Sequence, residues 1–85
     1  MIDEITQRLQ TLLPTTLLIE DESAAHAGHA GNGGGGHYKL TITSAAFAQK
    51  SAVTRHRLIY ALLSDLIPNK IHALSIQANT PEDIR

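Results

Sequence analysis

Ile2, Ile5, Leu9, Leu12 and Leu13 recur at spacings of three and four, which puts one apolar stripe on a helix. Asp3 and Glu4 suit the dipole at its start, and Pro14 predicts its end. The short run "TTLLIE" at 15–20 is apolar and β-branched, and reads as a strand. In "HYKLTIT" at 37–43, Tyr38, Leu40 and Ile42 alternate with His37, Lys39, Thr41 and Thr43, the period of a half-buried strand. The two strands form a hairpin with an oversized connection. Connections of that length are uncommon in compact domains and often functional.

Residues 44–50 read as a connector with a helical turn around Phe47. Ser51 is an N-cap candidate for a second helix at 51–66, where Ala52, Val53, Ile59, Tyr60, Leu63 and Leu66 share one arc. Pro68 and Asn69 break it. "IHALSIQA" at 71–78 predicts a third strand, with His72, Leu74, Ile76 and Ala78 in the inward phase. In the tail, Thr80 caps a last turn that Pro81 opens. The order αββαβ predicts an α+β sandwich, helices over one three-stranded sheet.

Composition narrows the chemistry. The 85 residues suit one small domain, 42% apolar and 18% charged, with no cysteine. Without a thiolate the chain alone offers no sulfur ligand for zinc, copper or an iron–sulfur cluster. A net charge of −1 gives no global positive field to attract nucleic acid or an anionic membrane. Residues 1–10 read as neither a signal nor a transit peptide, and no stretch is long enough to span a bilayer, so the expected location is cytoplasmic.

The stretch "HAGHAGNGGGGHYKL" at 26–40 gathers three of the five histidines. Its glycine run feeds a strand rather than a helix N-terminus, and no G-K-[ST] follows, which argues for slack rather than a phosphate loop. The spacing of His26, His29 and His37 demands no zinc site, although glycine lets the backbone bend toward an ion. In "TRHRLIY" at 54–60, His56 falls mid-arc, which reads as a structural core histidine. Lys50, Arg55 and Arg57 make a local basic patch, either a contact for a partner or nucleic acid or a solvated edge. His72 reads alone as half-buried, and together with the histidine-bearing loop as the fixed member of a two-histidine site. There is no cysteine nucleophile, no paired carboxylates within the motif-rich regions and no supportable Ser–His–Asp set, so an enzyme is not expected.

Taken together, "DESAAHAGHAG", "GGGHYKLTITSAAF", "RHRLIYALL" and "IHALSIQANTPE" resemble the BolA family over nearly the whole chain. Phe47 leading into Val53, Arg55, His56 and Arg57 carries the resemblance, as do Leu58, Ile59 and Tyr60. Ile71, His72, Ala73 and Leu74, with Thr80 and Pro81, complete it. The family usually has glycine two residues after the phenylalanine. Gln49 stands there, so that turn is expected to differ.

The resemblance implies a single BolA-like domain over 1–85, with a class II KH-like fold and a mixed sheet. The glycines lie in the hairpin loop and not between two helices, so RNA binding by the KH grip does not follow. It also implies partnership with a monothiol glutaredoxin and a shared [2Fe–2S] cluster. Glutathione and the glutaredoxin cysteine supply thiolates, and the BolA chain supplies histidines. His72 matches the strand ligand, and His26 the loop ligand, with His29 as its alternative. The isolated chain is expected to hold no cluster and to be a monomer or weak homodimer. Some members are linked to DNA binding, stress response and cell morphology, which leaves a transcriptional regulator as the alternative.

Overall fold

The computed structural model describes residues 1–22, 36–67 and 69–83. Helix α1 spans Ile2–Leu9 and tightens into a 3-10 turn at Gln10–Leu12. Strand β1 is Thr16–Asp21 and β2 is Gly36–Thr43, paired antiparallel with Ile19 opposite Leu40. A 3-10 turn at Ala45–Phe47 leads into helix α2, Ala52–Leu62, and strand β3, Ile71–Asn79, runs parallel to β2. The sheet order β1-β2-β3 puts β2 in the centre. Two helices on a three-stranded mixed sheet make this an α+β fold, as the pattern predicts.

The core follows from the alternation. Tyr38, Leu40 and Ile42 on β2 are buried together with Ile5 and Leu9 of α1, Ile59 of α2, and Phe47, Leu63, Leu66 and Ile71. Phe47 is fully enclosed by the turn that Ser44 caps, its hydroxyl accepting from the Ala46 N–H at 3.1 Å. Ser51 caps α2 by accepting from the Thr54 N–H at 3.2 Å, a contact that contributes about 1 kcal/mol in such positions.

Three expectations are corrected. α2 ends at Leu62 rather than near Leu66, and turns at 63–67 still bring Leu63 and Leu66 into the core. Ala52, Val53 and Tyr60 are exposed, because α2 lies against the sheet through Ile59 and the half-buried Leu58 and Leu62. In β3 the inward phase holds for Leu74, Ile76 and Ala78 but fails for His72, which is exposed while Ile71 is buried. The cause is a register shift: Gly36 pairs with Ile71 and His37 with Ala73, so His72 is an extra residue on β3. A bulge of this kind locally bends the strand and re-aims a side chain.

Gln49 lies at φ 62, the left-handed conformation that glycine adopts without strain. A glutamine thus occupies a backbone conformation that favours glycine.

Candidate functional site

Residue 37 is out of phase with the buried Tyr38, Leu40 and Ile42, so His37 sits on the sheet face opposite the helices, half-buried. Its paired neighbour on β3 is Ala73, and the bulge sets His72 immediately before it. The two imidazoles therefore meet, with ring centroids 5.2 Å apart and planes tilted by 45°. The pairing comes from two strands, not from the loop.

On the His37 side of this pair the chain forms a shallow hollow of about 250 Å³ lined by Glu22, His37, Tyr38, Ala73, Leu74 and Ser75. Glu22 is anchored there through its N–H, which donates to the His37 carbonyl at 2.7 Å, and the Gly36 N–H donates to the Lys70 carbonyl at 3.1 Å. A Cβ at position 36 would come within 2.6 Å of the Tyr38 hydroxyl oxygen, so any larger residue there has to displace the Tyr38 ring. Burial, with the Asp21 carboxylate as a lesser cause, pushes the Tyr38 phenol up, so it stays neutral.

The expected ligands divide between described and undescribed residues. His72 is placed at the site; His26 and His29 lie outside the described residues. His37, weighed with His26 and His29 at the sequence level but not taken as a ligand, is the histidine that the described structure brings to His72. Its signal was present in part: parallel pairing of the two "HYKL" and "HALS" starts would align them, but no single strand reveals its partner's register. Among the described residues no group of three or more His, Cys, Asp or Glu side chains is arranged to hold a metal ion.

The basic patch also divides. Arg55 is turned onto the chain itself: Nη1 donates to the Ala78 carbonyl at 3.0 Å and to Asp83 Oδ2 at 2.9 Å, and Nε donates to the Lys50 carbonyl at 2.9 Å. It therefore acts as a clasp, in contrast to the contact residue expected. Lys50 and Arg57 remain exposed, and His56 is half-buried rather than in the core.

The family model for BolA-like protein matches residues 9–83, and the chain belongs to that family. It is 47% identical over 94% of its length to SufE-like protein 1, chloroplastic/mitochondrial, of Arabidopsis thaliana. It is 40% identical over 93% of its length to the DNA-binding transcriptional regulator BolA of Haemophilus influenzae, covering 76% of that protein. The BolA domain of SufE1 from Arabidopsis thaliana has a similar structure, with a TM-score of 0.84 at 48% identity over 95% of this chain and 92% of that one. The chain spans 24% of the SufE-like relative and about half of the other plant and mammalian ones. No helix among the described residues is long and apolar enough to cross a membrane.

Proposed function

We propose that this chain is a non-enzymatic adaptor that binds a monothiol glutaredoxin and co-ligates a shared [2Fe–2S] cluster, acting in cluster assembly, transfer or iron homeostasis. The observation that carries this reading is His72, an exposed imidazole held on a strand bulge beside a second imidazole. The donor chemistry fits half a cluster: the sequence has no cysteine, and two imidazoles on one iron with thiolates on the other is an arrangement iron–sulfur centres use. His72 is the strand ligand. His26, with His29 as its alternative, is the loop ligand from the segment that leaves at Glu22 and returns at Gly36, both at the His72 end of the sheet. When bound, the cluster supplies one-electron redox chemistry or is itself the cargo. The chain's own part is to present imidazole, since it has no thiolate to offer.

The test is reconstitution of the chain with a monothiol glutaredoxin, glutathione, iron and sulfide, followed by visible circular dichroism. A shared-cluster spectrum is expected, abolished by His72→Ala and weakened or shifted by His26→Ala. A wild-type spectrum from His72→Ala overturns the assignment.

A second reading, DNA-binding regulation, is favoured by the exposed Lys50 and Arg57 and by the name of the Haemophilus relative. The net charge of −1 opposes it. Binding of DNA that falls steeply with added salt would support it, and no binding at low salt removes it.

A further inference from the structure

We infer that His37 and His72 form a two-nitrogen chelate for a single borderline divalent ion, Zn²⁺ or its neighbours Cu²⁺ and Ni²⁺, on the chain alone. This does not rest on the shared-cluster reading, which needs a partner and a loop histidine.

An ion that holds imidazole nitrogens at roughly 2.0–2.1 Å in tetrahedral array sets the two ring centroids about 5 Å apart. The centroids of His37 and His72 are 5.2 Å apart. Both rings are carried on strands, one central and one braced against it, so little backbone entropy is lost when an ion arrives. His72 reaches solvent because the bulge turns it outward, which gives the ion an entry path. A plain packing role would favour His72 in the inward phase that its sequence position predicts.

Ligand softness sets the class of ion. Imidazole pairs suit Zn²⁺, Cu²⁺ and Ni²⁺, whereas Mg²⁺ and Ca²⁺ need oxygen donors. With no third His, Cys, Asp or Glu grouped with them among the described residues, the remaining coordination positions fall to water or an incoming donor. That makes the site exchangeable, and it predicts a consequence for the cluster. Zn²⁺ on the pair occupies His72 and competes with handover.

Titration of the isolated chain with Zn²⁺ alone, followed by calorimetry and by histidine side-chain NMR, tests the pair. Saturable one-to-one binding is expected, weakened at least tenfold by His37→Ala and by His72→Ala. His56→Ala should leave it within twofold, and Mg²⁺ should not compete. Binding by His37→Ala at wild-type affinity, or loss of binding in a His26→Ala/His29→Ala chain that keeps His37 and His72, overturns the assignment. Should His37→Ala fail to fold, chemical acylation of the wild-type histidines read by peptide mass spectrometry decides. Zn²⁺ should protect His37 and His72 together, and protection of neither refutes the chelate.

Discussion

The two ends of β3 are built on opposite terms. At its C-terminal end the polar groups answer one another: Arg55 holds the Ala78 carbonyl and Asp83, and the Ser44 N–H donates to the Asn79 carbonyl at 2.9 Å. Thr80 and Asp83 close a reciprocal box, Thr80 N–H to Asp83 Oδ2 at 2.8 Å and Asp83 N–H to Thr80 Oγ1 at 3.2 Å. At its N-terminal end the strand admits an extra residue, and the result is an outward imidazole beside another. One end consumes its polar side chains in the fold. The other displays them. The same strand therefore separates residues whose loss should unfold the chain from residues whose loss should silence it.

Ile71 and His72 are the sharpest way to break that comparison, because they are adjacent and face opposite ways. Ile71 is fully buried, so Ile71→Ala removes core contacts and should cost about 2–5 kcal/mol in urea unfolding. His72 is exposed, and His72→Ala should stay within about 0.5 kcal/mol of wild type while losing the cluster spectrum. Equal destabilisation by both would mean that the bulge is a packing feature and the exposed ring incidental.

The distinction between these neighbours also shows what the sequence could reveal. Alternation placed Tyr38, Leu40 and Ile42 inward, because a strand's period is a property of the strand alone. The cap at Thr80 was likewise local, although its partner Asp83 was not foreseen. The phase of His72 was not, since a bulge exists only between two strands, and the extra residue on β3 shows itself only against β2. The nearness of His37 to His72 was hidden for the same reason. On α2, Val53 and Tyr60 satisfied the helical arc yet lie outside, because the width of the buried stripe is set by what packs on it. Arg55 looked like part of a surface patch because its acceptors are a distant carbonyl and a carboxylate in the tail.

At the clasp the expected effects are intermediate. The Arg55 side chain is only 17% exposed and makes three hydrogen bonds, so Arg55→Ala should destabilise by about 1–3 kcal/mol without altering Zn²⁺ affinity. Its acid partner gives a pH signature. The Thr80 N–H first, and the Arg55 guanidinium second, hold the Asp83 carboxyl below the usual carboxylate range. The folded value is depressed relative to the unfolded chain, so this stabilisation is complete above the ordinary carboxylate range and is lost as pH falls through the folded value. Asp83→Asn should therefore be less stable than wild type near neutrality, and the two should converge in acid. A gap that stays constant with pH would assign the loss to packing instead of charge.

The smallest effect is expected at Gln49, and its sign is informative. The residue holds φ 62 in the turn between Phe47 and α2, next to Lys50, whose carbonyl accepts from Arg55. A left-handed backbone costs a residue with a Cβ roughly 1–2 kcal/mol, and glycine escapes that cost. Glycine also gives the unfolded chain more freedom, which returns about 0.4–1 kcal/mol to the unfolded state. The difference predicts that Gln49→Gly stabilises by about 1 kcal/mol or less, because Gln49 is exposed and its side chain has little packing to lose. Paired urea titrations of wild type and variant resolve a shift of that size, and Zn²⁺ affinity at the far end of β3 should not move. Destabilisation would show that the Gln49 side chain contributes more than the strain it carries, and that the clasp end depends on contacts beyond Arg55, Thr80 and Asp83.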